Sequence, residues 1–113
     1  MIDARQHVIG KLIPFDEETI TVSTTAIGLT SAKLTSSPRP KKVIITVETA
    51  KIRYWMSGTA PTATVGHLMS PLDSLVLEGY SQLNNVKFIR KGSSDGTISV
   101  SYLRLIFYFY FFN

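Results

Sequence analysis

The run LRLIFYFYFFN at residues 103–113 limits the possible folds more than any other stretch. From Leu105, eight consecutive residues are apolar or aromatic, so a strand built from them is apolar on both faces. The run is too short for a membrane-spanning helix, and phenylalanine and tyrosine favour β structure. Left uncovered, it is an aggregation hazard, being flat, uncharged and free of proline. It therefore belongs at the centre of a sheet or against another subunit, where aromatic residues are enriched, with insertion into a membrane as the third alternative.

Upstream, the chain reads as short strands divided by turn residues. Lys42–Glu48 alternates most strictly, with Val43, Ile45 and Val47 on one face and Ile44, Thr46 and Glu48 on the other. Thr49-Ala50 leads, at hairpin or corner spacing, into a strand whose Ile52, Tyr54 and Met56 oppose Lys51, Arg53 and Trp55. That strand stops at Ser57-Gly58 and enters a small-residue loop closed by Gly66-His67. From Glu17, threonine and β-branched residues alternate through Thr24, and Ala26–Thr35 reads as a second short strand or an irregular crossing. Ser36-Ser37-Pro38-Arg39-Pro40 is a break, because two prolines remove ladder donors.

Ser70-Pro71-Leu72-Asp73 signals a turn, followed by a strand over Ser74–Glu78 with Leu75 and Leu77 inward. Gly79–Asn85 reads as a loop and Val86–Lys91 as a strand. A hairpin turn at Gly92–Gly96 then leads to a last strand from Thr97. No segment carries a convincing helical period. The pattern predicts an all-β, single-domain β-sandwich or jelly roll of six to eight short antiparallel strands, with a small barrel as the alternative. Residues 1–15, interrupted by Gly10 and Pro14, read as an N-terminal arm, and residues 16–113 as the sandwich, ending in the aromatic strand 103–113.

Composition narrows the chemistry. A chain of 113 residues supports one domain, and 44% hydrophobic with 18% charged residues is a globular balance. The net charge of +4 is too small to indicate nucleic acid, which is not expected as a partner. The absence of cysteine excludes disulfides, thiolate chemistry and Cys-type zinc sites. The first fifteen residues have no long apolar core, so no secretory signal is expected, nor is a membrane span.

His7 and His67 belong to no metal-binding spacing, and no nucleophile elbow, phosphate loop or dinucleotide fingerprint occurs. His67 with Asp73 could form a base and its orienting acid, but no activated nucleophile accompanies them; a loop histidine bonded to backbone is the expectation. Asp16, Glu17 and Glu18 read as a solvated turn, since consecutive carboxylates splay apart and lack the spacing of a calcium loop. Arg39, Lys41, Lys42, Lys51 and Arg53, with Tyr54 and Trp55 among them, suggest a strand for binding single-stranded nucleic acid. The opposed faces of Tyr54 and Trp55 break up such a stacking platform. No catalytic, cofactor-binding or metal-ligating residue is assigned, and an enzyme is not expected.

Ile52-Arg53-Tyr54, then Gly58-Thr59-Ala60-Pro61-Thr62-Ala63-Thr64-Val65-Gly66-His67, then Asp73-Ser74-Leu75 resembles small β-rich proteins encoded among the virion structural genes of tailed bacteriophages. Their pattern is R-Y-x-x-x-G-T-x-P-T-x-x-x-G-H followed by a Gly-Asp turn and a strand. Leu72-Asp73 departs from the Gly-Asp of that pattern. The resemblance spans Lys42–Tyr102 and implies a virion component made in the host cytoplasm and placed on the capsid exterior. Its expected role is a decoration (cement) protein that binds the major capsid protein, as a homo-oligomer for which a trimer is one arrangement. A neck or tail accessory protein and a host-surface carbohydrate-binding module using Tyr54 and Trp55 are the alternatives. Under the first reading, the assembly interface comprises Ile2, Val8, Ile9, Trp55, Pro61, His67, Phe107, Phe109 and Phe111.

Overall fold

Val43, Ile45 and Val47 are fully buried while Ile44 stays 40% exposed, so the strict alternation of this stretch turns one face onto the core. The computed structural model describes the backbone of residues 6–111 and the side chains of residues 10–107. In chain order its elements are β1 (Gln6–Val22), α1 (Ser31–Thr35), β2 (Lys42–Val47), β3 (Ile52–Trp55) and β4 (His67–Met69). There follow β5 (Ser74–Glu78), α2 (Tyr80–Asn85), β6 (Lys87–Arg90) and β7 (Gly96–Phe111). One sheet runs β1-β7-β2-β5 and the other β4-β3-β6, with every pairing antiparallel. The fold is an all-β, single-domain sandwich.

Two bent hairpins generate it. β2 turns a corner into β3 and β4 turns a corner into β5, so β2 pairs with β5 in one sheet while β3 pairs with β4 in the other. In the same way β7 pairs with β1, and β6 pairs with the continuation of β1 through an Ile27–Phe88 bridge. Gly92–Asp95 is therefore a corner between sheets and not the hairpin turn that Asp-Gly suggested. Gly96 permits that corner: a Cβ there would lie 2.8 Å from Ile52 Cγ2 and 3.0 Å from the Ala50 carbonyl oxygen.

Between the sheets lie Ile20, Val22, Leu77, Ile98, Val100 and Tyr102 from one side and Ile52, Met69 and Phe88 from the other. Burying each large side chain of this kind contributes about 1.5–3 kcal/mol. α1 and α2 each add one buried leucine, Leu34 and Leu83. Gly79–Asn85 is thus helical from Tyr80, contrary to its reading as a loop. Helices of five and six residues are too short for a 3.6-residue period to register, and packing rather than propensity holds them. Two strands are far from short: β1 has 17 residues and β7 has 16. β1 runs through residue 15 with only a register shift between Pro14 and Asp16, so residues 6–15 continue the first strand of the sheet.

The acidic segment is no solvated turn. Asp16 and Glu18 fall on the same side of β1, where Lys33 Nζ donates to Asp16 at 2.9 Å and Thr30 Oγ1 donates to Glu18. The buried Tyr102 hydroxyl donates to the other Glu18 oxygen. The carboxylates therefore fasten α1 and the preceding loop to the sheet. Lys33 holds the Asp16 carboxyl below the usual range, while burial and then Glu18 push the Tyr102 phenol up.

Two predictions follow from these contacts. Tyr102 stays protonated in the folded chain above its ordinary value of 10.0, so its contribution to stability is complete below pH 10 and declines as pH rises further. Urea midpoints measured across the alkaline range should fall less steeply in Tyr102→Phe than in the parent; an unchanged slope would assign the alkaline loss to other groups. The second concerns Leu72, which occupies the left-handed region (φ 77) of a turn in which the Asp73 N–H donates to the Ser70 carbonyl at 3.0 Å. Pro71 precedes it, as in a type II turn, whose third position suits glycine. Leu72 is 84% exposed and gains little from packing. Leu72→Gly should raise stability by about 0.5–1 kcal/mol, the relief of left-handed strain less the extra chain entropy of glycine. A lowered melting temperature would contradict that.

Candidate functional site

β7 has two regimes. From Gly96 to Leu103 it is a central strand between β1 and β2. The Lys41 N–H donates to the Leu103 carbonyl at 2.8 Å, and the next residue back, Pro40, has no N–H to give. From Arg104 onward β7 pairs with β1 alone, over eight rows from Ile13–Arg104 to Gln6–Phe111. The result is a two-stranded ribbon that leaves the sandwich and stretches the molecule to 64 × 23 × 22 Å. The tail is therefore not a central strand throughout.

The ribbon has two unlike faces. Pro14, Leu12 and Gly10 oppose Leu103, Leu105 and Phe107 on one of them. Phe107 lies over Gly10, where a Cβ would come within 3.3 Å of its ring, and it remains 56% exposed. The other face carries Lys11 and Ile13 against Ile106 and Arg104. The Arg104 guanidinium sits 5.1 Å over the Phe15 ring, and its Nε is buried without a partner. The expectation of two apolar faces thus gives way to one apolar and one mixed, cationic face, because the strand opposite supplies Lys11. Ile2 lies outside the described residues. For Val8, Ile9, Phe109 and Phe111 the backbone register alone is described, which sets Val8 opposite Phe109.

The Gly58–His67 loop is held from below. Arg53 Nε donates to the Ala63 carbonyl at 3.0 Å and Arg53 Nη1 to the Gly66 carbonyl at 2.9 Å. Within the loop the Thr62 N–H donates to the Val65 carbonyl at 2.9 Å, and the Val65 N–H donates to Thr62 Oγ1 at 3.0 Å. Gly66 has φ 137, and a Cβ on it would meet Pro61 Cβ at 3.1 Å. Pro61 is buried, so it fills the loop and is no surface contact in this state. Alternation placed Arg53 outward and missed its role; a long side chain on a strand ending in a loop was the available signal.

His67 opens β4 and does not lie in the loop. Its ring centroid is 5.1 Å from that of Tyr54 and 5.1 Å from that of Trp55, the latter edge-on. Two side chains from successive positions of β3 therefore converge on one imidazole, which the simple alternation of faces did not anticipate. Rings tilted at 43° and 73° make a cluster and not a flat stacking platform. Asp73 does not orient His67; its Oδ2 accepts the Ser70 N–H at 2.8 Å.

Several of the basic residues have structural partners. Lys42 faces Glu78 at 3.5 Å, Arg90 faces Asp95 at 2.7 Å, and Arg39 lies 4.7 Å over the Tyr80 ring. A shallow cleft of about 240 Å³ between Ala50-Lys51 and Lys91–Ser94 has no carboxylate or imidazole in its lining. Among the described residues no group of three or more His, Cys, Asp or Glu is placed to hold a metal ion. No helix among them is long and apolar enough to cross a membrane.

Removing the arginine that spans two loop carbonyls tests the loop. Arg53→Ala should cost about 1–3 kcal/mol and speed proteolysis between Gly58 and Gly66. Arg53→Lys should not restore the parent, since one ammonium lacks the guanidinium's fork; full rescue by lysine would show that charge alone suffices.

No protein-family model, curated protein or solved structure matches this chain.

Proposed function

We propose that this protein is a structural component of a tailed-phage virion, a decoration protein that binds the major capsid protein and stabilises the shell from outside. The observation that carries the reading is the ribbon. A two-stranded ribbon is marginal in water by itself, and eight rows of it project here with Leu12 and Phe107 exposed and Leu105 half-buried on one face. Such an element is suited to lying on a neighbouring subunit, as a shell-stapling protein requires. The resemblance of the Ile52–Leu75 stretch to virion structural proteins supplies the biological setting. The remaining polar groups support the same view, since Arg53, Asp16, Glu18 and Asp73 are engaged in holding loops and turns. The protein acts by assembly and not by catalysis, as a homo-oligomer.

The test is binding to capsid shells assembled from the major capsid protein of the same phage. The parent chain should co-sediment with them, and Phe107→Glu should lose at least about tenfold in affinity, the effect of about 1.4 kcal/mol. Undiminished binding by that variant would remove the ribbon from the interface. Quantitative mass spectrometry of purified virions gives the site: hundreds of copies support decoration, whereas six to a few dozen indicate the neck or tail.

A further inference from the structure

The solvent face of the smaller sheet carries cations and no carboxylate. Ile52 and Phe88 are fully buried, so alternation turns Lys51, Arg53 and Trp55 outward along β3, and Lys87, Ile89 and Lys91 outward along β6. No Asp or Glu occurs in β3, β4 or β6. Arg53 is committed to the loop carbonyls of Ala63 and Gly66, whereas Lys51 and Lys91 are exposed at the other end of the face. There the two corners between the sheets form the cleft of about 240 Å³, with Ala50-Lys51 on one wall and Lys91–Ser94 on the other. The walls are fixed to each other. The Lys91 N–H donates to the Lys51 carbonyl at 3.1 Å, and the Thr97 N–H donates to Thr49 Oγ1 at 3.0 Å. Arg90, on the side of β6 opposite Lys91, holds the Asp95 carboxylate at 2.7 Å and so keeps the loop's own negative charge out of the lining. Glu48 follows Ile44 and Thr46 on the solvent face of the larger sheet. Among the described residues, no backbone carbonyl accepts the N–H of Gly92, Ser93 or Ser94.

We propose that this cleft binds a phosphate group. Its lining presents two ammonium groups, two hydroxyls and three successive N–H groups of one loop, the kind of concavity that takes an anion. A phosphate has oxygens enough to accept from both walls and close to two negative charges to set against the two lysines. Lysine binds phosphate as a point charge, and the lining lacks the arginine fork that would favour a planar carboxylate. The cleft is several times the roughly 30 Å³ that one water occupies, so the ion enters with part of its hydration. A Cβ on Gly92 would meet nothing within 4 Å, which leaves the mouth open on that side. The site lies beside Gly96, the first residue of β7, and the ribbon forms at the far end of that strand. Phosphate binding and shell binding are therefore separate properties.

The experiment is an NMR titration of the full chain with inorganic phosphate at mildly alkaline pH, chloride being withdrawn to hold the ionic strength constant. The amides of Lys51 and of Gly92, Ser93 and Ser94 should shift saturably, with a Kd of about 1–10 mM. Lys51→Ala and Lys91→Ala alter exposed side chains and leave the core intact; each should weaken binding about fivefold to tenfold. Lys87→Ala, on the same face but outside the cleft, should change it by less than about twofold. Shifts that never saturate, Lys51→Ala or Lys91→Ala binding like the parent, or Lys87→Ala weakening it as much as they do would each overturn the site. A parallel titration uses a short single-stranded oligothymidylate. Weaker or equal binding confined to the cleft amides agrees with a site for one phosphate. Tighter binding that also shifts Trp55 and Lys87 would make the whole face a nucleic-acid track and refute the proposal.

Discussion

Everything in this molecule hangs from the ladder between its first and last strands. β1 and β7 pair over sixteen rows, from Val22–Gly96 to Gln6–Phe111, and so bring together residues at opposite ends of the chain. Because the ladder closes so much of the chain, its loop-closure entropy must be met by burial elsewhere. The inner rows meet it: Ile20, Ile98, Val100 and Tyr102 are core residues. Among the described residues the outer rows have no second layer beneath them, and Leu12 and Phe107 are exposed. One continuous hydrogen-bonded element is therefore a core strand pair at one end and an exposed arm at the other.

The point of change is set by chemistry on three sides. Pro40 ends the flank of β2, because it cannot donate to the Leu105 level of β7. Phe15 is the extra residue of the register shift; it packs toward the core and carries the Arg104 guanidinium over its ring. Asp16 and Glu18, one turn of the pleat further in, hold α1 and its loop through Lys33 and Thr30. Proline, bulge and carboxylates together close the sandwich at the level where the ribbon departs. The acidic segment has this mechanical part to play.

The exposed apolar residues of the larger sheet lie on the ribbon, at Leu12 and Phe107, and on the solvent face of its flank, at Ile44 and Val76. Arg53 and Pro61 commit the Gly58–Gly66 loop to internal order. Val65 is among its exposed residues, and Leu68 is exposed just beyond it on β4. A loop so constrained is suited to presenting a fixed shape.

Period-two alternation and proline or glycine punctuation are local properties, so β2, β3, β5, β6 and the inner part of β7, with the inward residues of β2 and β5, are legible in the sequence, whereas β4, α1 and the outer half of β1 are not. The sequence by itself also determined that the aromatic run needs a cover. Which strands share a sheet is a matter of packing: Asp95-Gly96 is a sound turn signal, but β6 and β7 separate because Gly96 fits against Ile52 and Ala50 at a corner. Only the fold revealed that Asp16 and Glu18 are fasteners and that Leu72 takes the place of a glycine with positive φ. The two faces of the ribbon were likewise hidden, since the tail's own residues are nearly all apolar and the distinguishing Lys11 lies on the strand opposite. Which residue stands opposite another is a matter of register, and register between the ends of a chain is set by the whole core, not by either strand alone.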